Sequence, residues 1–219
     1  NEPSKSYLNI PAIISAAVVS GADAIHPGYG FLSERPDFVD ICDQHHIKFI
    51  GPSGDTMRLM GDKANARKTM IENNVPVTPG TGILNSIQEA LDFAKKVGYP
   101  IIIKATAGGG GKAMRVARNA EELPELMNIC QQEAQNYFGN PDVYAEKFLE
   151  NPRHIEVQII GDRYGNVIHL GERDCSIQRR HQKLIEEAPS PVIDEKTRKE
   201  MGEAAVRAAK AINYEGVGT

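Results

Sequence analysis

The sequence predicts a protein of mixed α/β and α+β class: part of a parallel α/β domain, then a small α+β domain, then the beginning of a second sheet. Helix and strand patterns alternate over residues 10–53. Four consecutive glycines at 108–111 separate two apolar strands, and the segment 154–159 alternates strictly between polar and apolar residues. An alternation of helices and strands is typical of a parallel sheet, whereas strict alternation within a segment is typical of a half-buried strand.

The first segment contains two helix–strand pairs. We predict helices at 12–20 and 38–45 and strands at 24–26 and 48–50. Turn residues follow each strand, and open parallel sheets bind ligands at the carboxyl ends of their strands. The segment therefore predicts a functional edge after each strand.

A proline-rich break, 75–80, separates a helical stretch at 55–73 from the next unit. That unit has the pattern of a small α+β domain. Its predicted elements, in order, are a helix at 86–97, strands at 99–105 and 113–117, a helix at 121–138 and a strand at 143–149.

The remaining residues predict a second sheet and a long helix. Strands at 155–160 and 167–170 flank a loop rich in turn residues, which predicts a hairpin. A helix is expected over 194–212, with Asp194 as its N-cap. We divide the chain into an N-terminal domain remnant (1–55), a helical linker (56–77), a small domain (78–149) and the start of a C-terminal domain (150–219).

Composition excludes several classes of protein. The 219 residues carry 25 basic and 29 acidic side chains, a net charge of -4, which offers no positive field for nucleic acid. No apolar run approaches the roughly 20 residues of a membrane helix, so we expect a soluble protein. Cys42, Cys130 and Cys175 are far apart in sequence, which predicts reduced thiols rather than a disulfide or a zinc site.

The glycine run is the most informative motif. Such a loop exposes backbone N–H groups and can cover phosphates. Ala113 follows Lys112 where a Walker A loop has Ser or Thr, and the residues after the loop resemble a strand rather than the helix of a Rossmann turn. The loop therefore caps a hairpin, and Lys104 just before it either pairs with phosphate oxygens or reaches solvent.

Two polar segments have competing interpretations. His154, Glu156 and Gln158 share one face of their strand, which is either solvated or part of an anion site. The charged run 172–183, expected between two strands of the sheet, is either a solvated surface or a convergent site for phosphate and another anion.

Taken together, these motifs resemble the biotin carboxylase family of the ATP-grasp superfamily over essentially the whole chain. Residues 26–34 (HPGYGFLSE), 51–53 (GPS), 60–63 (MGDK), 104–112 (KATAGGGGK), 150–154 (ENPRH), 172–183 (ERDCSIQRRHQK) and 187–190 (EAPS) are similar to the family's signatures, in the same order. The resemblance implies an ATP-grasp fold in which 78–149 is the lid, or B, domain.

The resemblance also implies roles for individual residues. Lys63, Lys104 and the backbone of Gly110 and Gly111 would contact ATP phosphates. Glu146, Lys147 and Leu149 match the segment that meets the adenine. His154, Gln178 and His181 match residues near the ribose and phosphates, and Lys183 matches the lysine that holds bicarbonate. Lys183 and His154 are the implied catalytic residues.

The implied reaction is the ATP-dependent carboxylation of biotin by bicarbonate through carboxyphosphate, the first half-reaction of acetyl-CoA carboxylase in fatty-acid synthesis. The resemblance places the Mg2+ ligands beyond Thr219 and the first strands before Asn1, so we expect a piece truncated at both ends that is inactive alone. It further implies a biotin carboxyl carrier protein and a carboxyltransferase as partners, a homodimeric parent enzyme and a cytoplasmic location.

Several alternatives remain open. The parent could be a pyruvate or propionyl-CoA carboxylase, another ATP-grasp enzyme such as a carbamoyl-phosphate synthetase, or a non-catalytic nucleotide-binding module.

Two residues depart from the family pattern. Arg35 and Ala113 stand where the family often has Asn and Gly. If position 113 needs a positive φ, alanine would strain the turn.

Overall fold

A computed structural model describes residues 2–61, 63–107, 112–179 and 182–219, with the backbone alone at 63 and 64. The chain divides into two compact units. The first contains Asn1–Pro76 and Arg153–Thr219, and the second contains Val77–Pro152. The predicted lid segment, 78–149, lies inside the second unit, while the division into four segments stays a prediction.

The N-terminal part of the first unit has the predicted parallel arrangement. Its elements are α1 (Ile10–Ser20), β1 (Ala24–Ile25), α2 (Pro36–Gln44), β2 (Lys48–Phe49), α3 (Gly54–Gly61) and α4 (Lys63–Glu72). The strands β1 and β2 pair in parallel. The Asn9 side chain accepts a hydrogen bond from the Ala12 N–H at 3.1 Å and so begins α1. Phe38, Cys42 and Phe49 lie in the core beneath these elements.

The second unit is a three-stranded antiparallel sheet with two helices. Its elements are α5 (Ile87–Val97), β3 (Ile101–Ala105), β4 (Met114–Ala117), α6 (Leu123–Phe138) and β5 (Val143–Lys147). The strand order is β4-β3-β5, which confirms the predicted hairpin around the glycine loop. One face of the sheet packs on both helices through Ile101, Ile103 and Ala145, and alternation turns Lys104 and Glu146 to the other face.

The C-terminal part of the first unit is a four-stranded antiparallel sheet with one long helix. Its elements are β6 (Ile155–Gly161), β7 (Val167–Arg179), β8 (Gln182–Glu187), α7 (Glu195–Ala211) and β9 (Gly216–Gly218). The strand order is β8-β7-β6-β9. The Asp194 carboxylate accepts from the Thr197 N–H at 2.7 Å, which confirms the predicted N-cap of α7.

The charged run departs from its expected place between two strands. Residues 172–179 extend β7 far beyond the predicted end at 170, and 182 and 183 begin β8. The described residues of the run belong to two paired antiparallel strands, and its charges divide between the two faces of the sheet. Glu172 pairs with Arg198 of α7, whereas Arg173 pairs with Glu156 of β6.

Polar contacts join the separated parts of the first unit. The Thr56 hydroxyl donates to the Ile212 carbonyl at 3.0 Å, and the Lys48 ammonium lies 2.7 Å from the Glu215 carboxylate. These two contacts bring the start and end of the chain into one folded unit. Within the C-terminal part, the close packing of α7 on β7 requires Gly202, because a Cβ there would lie 2.5 Å from the His169 ring.

The described part of the chain contains no helix long and apolar enough to cross a membrane. Cys42, Cys130 and Cys175 are free and buried.

Candidate functional site

The uncovered face of the second unit's sheet carries an ion pair. Lys104 lies opposite Tyr144 in the ladder, and Glu146 lies opposite Ile102, so Lys104 and Glu146 are diagonal neighbours on one face. The Lys104 Nζ donates to Glu146 Oε2 at 2.5 Å, and the two side chains are 28% and 21% exposed. The register therefore fixes a partly buried ammonium at the end of β3, beside the glycine loop.

The other two adenine-segment residues are arranged differently. Strand alternation sends the Lys147 side chain to the helix-covered face, where Nζ donates to the carbonyls of Gly98 and Tyr99 at 3.1 and 2.9 Å. The Lys147 backbone N–H donates to the Pro79 carbonyl at 2.8 Å. Leu149 follows β5 with an exposed side chain. The Lys147 N–H is thus engaged within the unit, whereas Glu146 shares a face with Lys104.

Some predicted phosphate-binding residues lie outside the described residues. These are Gly110, Gly111 and His181, together with the Lys63 side chain. The end of the glycine loop is described: the Ala105 N–H donates to the Ala113 carbonyl at 3.1 Å. Ala113 has a φ of 50°, so the sequence position that favours glycine does adopt a left-handed backbone.

Helix α6 holds this end of the loop. The buried Cys130 thiol donates to the Ala113 carbonyl at 3.1 Å, and burial raises the pKa of that thiol to about 11. The Lys112 ammonium lies 5.1 Å from the centre of the Tyr137 ring, within the range of a cation–π contact. Both contacts connect the described end of the loop to α6.

In the first unit, the predicted bicarbonate lysine belongs to a network of charges on one face of the sheet. The Lys183 ammonium donates to Oε2 of Glu156, a carboxylate that is 8% exposed. Arg173 donates to the other oxygen, Oε1, through Nε at 2.8 Å and also through Nη2. Two cations from neighbouring strands therefore bind one nearly buried carboxylate.

These contacts determine the charges of the network. Burial alone would raise the pKa of Glu156, but the hydrogen bonds from Lys183 and Arg173 bring that pKa below its usual value. The hydrogen bond to Glu156 raises the pKa of Lys183. Lys183 is consequently a cation at neutral pH, suited to hold an anion and unsuited to act as a general base.

Arg173 extends the network to two further side chains. Its Nη1 donates to Gln158 Oε1 at 2.8 Å, and its Nε lies 3.2 Å from Glu186 Oε2. The Gln158 amide in turn donates to the Gly218 carbonyl of β9 at 2.7 Å. The contacts of Arg173 and Gln158 thus connect β6, β7, β8 and β9.

One group of side chains has the composition of a metal site. Ligand atoms of Glu156, Cys175 and Glu186 lie within 4.8 Å of one another. Both carboxylates already pair with Arg173, and burial raises the pKa of the Cys175 thiol, which keeps it protonated. A divalent cation would have to displace these partners, so the cluster does not fit Mg2+, which prefers oxygen ligands with little competing charge.

Two other predicted site residues contact each other. The Gln178 amide nitrogen lies 3.1 Å from His154 Nδ1 and donates to the Cys175 carbonyl at 3.0 Å. The backbone also joins the two segments, because the Cys175 N–H donates to the His154 carbonyl at 2.7 Å. Residues 24 positions apart are therefore neighbours at the start of β6.

The predicted residues fall into two groups. Lys104 and Glu146 belong to the second unit, while His154, Gln178 and Lys183 belong to the first. Their convergence around one ligand stays a prediction. Sequence reasoning did not single out Arg173, which lay in the charged run without a visible partner, because Glu156 is 17 residues away in sequence.

Comparisons with known proteins define the class of the chain. Residues 62–219 match the family described as the carbamoyl-phosphate synthase L chain, ATP binding domain. Residues 1–57 match the biotin carboxylase N-terminal domain. The chain thus has the ATP-grasp fold, preceded by an N-terminal domain segment found in one group of these enzymes.

Individual relatives identify that group. The chain is 60% identical to a biotin carboxylase of Nostoc sp., covering 98% of the chain and 48% of the relative. A biotin carboxylase from Campylobacter jejuni, solved as a β-γ-ATP complex, is 57% identical with a TM-score of 0.86 over 99% of the chain and 49% of that structure.

A third comparison is with the biotin carboxylase domain of Hydrogenobacter thermophilus 2-oxoglutarate carboxylase, solved as a dimer with MgADP, ADP and bicarbonate. That domain is 50% identical with a TM-score of 0.80, covering 96% of the chain and 47% of that structure. The chain belongs to the biotin carboxylase family. It spans about half the length of the curated relatives that it matches.

Proposed function

We propose that this chain is the ATP- and bicarbonate-binding part of a biotin carboxylase, a ligase that carboxylates biotin with bicarbonate at the expense of ATP. The contact between Lys183 and Glu156 carries the proposal. A nearly buried carboxylate holds the ammonium in place on a sheet face and keeps it protonated. A fixed cation of this kind is suited to bind a small carbonate anion.

The second unit would bind the nucleotide. Lys104 is a point charge beside a glycine loop, and Glu146 lies on the same face. The Campylobacter relative, solved as a β-γ-ATP complex, supports this assignment. Lys63, Gly110 and Gly111 would complete the phosphate contacts, and Glu146, Lys147 and Leu149 would meet the adenine.

The residues of the first unit would position the reacting groups. His154, Gln178 and His181 would lie near the ribose and phosphates. Lys183 would hold bicarbonate while its oxygen attacks the γ-phosphorus of ATP, and ADP would leave as carboxyphosphate forms. The ureido nitrogen of biotin would then take the carboxyl group, with release of inorganic phosphate and of the ureido proton. Cations are needed because nucleophile and phosphate are both anionic and repel each other.

Magnesium does not fit the carboxylates that surround Lys183, since Glu156 and Glu186 are already paired. We propose instead that its ligands belong to the half of the relatives' length that this chain does not span. The Hydrogenobacter relative, solved with MgADP and bicarbonate, supports a magnesium-dependent reaction in the whole enzyme.

We assign the parent enzyme to acetyl-CoA carboxylase, acting in the cytoplasm as a homodimer with a biotin carboxyl carrier protein and a carboxyltransferase. The relatives whose names are simply biotin carboxylase favour this assignment. A pyruvate or propionyl-CoA carboxylase is the alternative, and the Hydrogenobacter relative, which is part of a 2-oxoglutarate carboxylase, supports a keto acid as the acceptor. Assaying carboxylation by the assembled enzyme with acetyl-CoA, propionyl-CoA or pyruvate as the acceptor decides between them.

The test uses a full-length protein that contains this chain. We expect ATP hydrolysis that requires bicarbonate and is accelerated by free biotin, and we expect Lys183→Met to abolish it. Lys96→Met, which removes an exposed lysine of α5, is the matched control. Hydrolysis unaffected by biotin, or equal activity of the two variants, would overturn the proposal.

We further propose that the 219-residue chain alone binds nucleotide without turning over. In the part of the chain that the structure describes, the one candidate metal cluster is formed by Glu156, Cys175 and Glu186, and its paired carboxylates do not fit the magnesium of the proposed reaction. Calorimetric titration with ATP and a phosphate-release assay test this. Biotin-dependent phosphate release by the isolated chain would contradict it.

A further inference from the structure

We propose that Arg173 is a positioning residue that acts through Glu156 to hold Lys183 in its anion-binding orientation. The inference rests on the proposed function, because it assumes that Lys183 binds bicarbonate. Arg173 itself would not touch the substrate.

The two oxygens of Glu156 are divided between the two cations. Arg173 occupies Oε1 with Nε and Nη2, which leaves Oε2 to Lys183. A carboxylate bound on one oxygen by two donors of a planar guanidinium cannot rotate freely about its terminal bond. The direction in which Oε2 points, and hence the place of the Lys183 ammonium, therefore depends on Arg173.

Arg173 is itself held from a second side. Its Nη1 donates to Gln158, whose amide is fastened to the Gly218 carbonyl of the edge strand β9. Gln158 and Glu156 lie on the same strand, so the guanidinium spans two side chains on one face of β6. A lysine at position 173 could reach one of these partners, but it lacks the planar guanidinium whose N–H groups bind both.

Charge gives Arg173 a second effect. Glu156 and Glu186 contribute two negative charges to the network, and Arg173 and Lys183 contribute two positive ones. Without Arg173, two carboxylates would face one ammonium, and the surplus negative charge would repel an incoming anion. Arg173→Lys keeps the positive charge but removes the planar guanidinium. This variant therefore tests the effect of Arg173 on the orientation of Glu156 apart from its effect on charge.

The kinetic test uses the full-length protein with three variants. Arg173→Lys should raise the KM for bicarbonate about tenfold or more while the KM for ATP changes by less than about twofold. Gln158→Leu should act in the same direction but less strongly, since Glu156 keeps its arginine. Arg118→Met is the control, because Arg118 forms an exposed ion pair with Glu150 in the other unit.

A spectroscopic test does not depend on activity. Lysine Nζ order parameters measured by NMR report how firmly an ammonium is held, and Lys183→Arg identifies the Lys183 signal. We expect a lower order parameter for Lys183 in Arg173→Lys than in Arg118→Met. An unchanged order parameter, or a parallel rise of both KM values, would overturn the role of Arg173. A wild-type enzyme without biotin-dependent hydrolysis but with the expected loss of order would instead overturn the proposed function.

Discussion

The Lys104 ammonium lies 2.5 Å from Oε2 of Glu146 on the face of the sheet that α5 and α6 leave uncovered. Neither side chain is fully buried, and partly exposed ion pairs of this kind contribute only about 0 to 1 kcal/mol to stability. Removing Lys104 should therefore leave the fold intact, which makes this residue suitable for testing the proposed nucleotide site.

We predict that Lys104→Met weakens ATP binding about tenfold to a hundredfold, since one charge-assisted contact contributes about 1.5 to 3 kcal/mol. The midpoint of thermal unfolding should change little. Isothermal titration and calorimetry measure both quantities, with Lys96→Met as control. Equal affinities of the two variants would show that Lys104 does not bind the nucleotide.

The left-handed backbone of Ala113 predicts an unusual response to glycine. Ala113→Gly loses a buried methyl group and gains unfolded-state entropy, which together cost about 1.5 kcal/mol. It also relieves a left-handed conformation that costs about 1 to 2 kcal/mol for an L-residue. We therefore expect a free energy of unfolding close to that of the wild type.

Ala117→Gly is the matched control, because Ala117 is equally buried in the extended strand β4 and has no strain to relieve. It should destabilise the chain by about 1.5 kcal/mol in urea denaturation. Equal destabilisation by both changes would mean that Ala113 is not strained.

The ion pair between the buried Glu172 and the partly exposed Arg198 predicts a dependence of stability on pH. Burial by itself raises the pKa of Glu172, but the hydrogen bonds from Arg198 and the Ser190 N–H lower that pKa below 4.5. A carboxyl group with a lowered folded-state pKa stabilises the fold above its unfolded pKa. This contribution is lost as the pH falls from about 4.5 through the folded value.

In Arg198→Met, burial still raises the pKa of Glu172, and the hydrogen bond from the Ser190 N–H alone does less to lower it. Its pKa would rise, and the midpoint of acid unfolding, followed by circular dichroism, would move to higher pH. Arg118→Met removes an exposed arginine from the other unit and should leave the midpoint in place. A midpoint that is the same in both variants would contradict the role of Arg198.

The three cysteines should be protected in the folded chain. Burial raises the pKa of each thiol, to about 11 for Cys130. At pH 8, about one Cys130 side chain in a thousand would then be a thiolate. We expect very slow alkylation by iodoacetamide without denaturant and rapid modification of all three in urea. Fast modification of Cys130 in the native chain would show that α6 opens readily from the loop.

Local patterns were sufficient to predict most elements of the fold. The periodicity of residues 155–170 and their turn residues predicted a hairpin, Asp194 predicted the start of α7, and the glycine run predicted the turn between β3 and β4. Each of these features depends on residues close together in sequence. The order of the signature motifs likewise indicated the family without any structural information.

Only the tertiary structure decided which charges meet. Glu156 binds an ammonium 27 residues away, and Glu172 binds a guanidinium 26 residues away. The described residues of the charged run became parts of the paired strands β7 and β8, and Arg173 and Lys183 both bind Glu156 of β6. The sequence by itself determined the local elements and the family. The ladder registers and the packing of α7 determined the ion pairs, because a charge selects its partner by distance in space, which sequence separation does not encode.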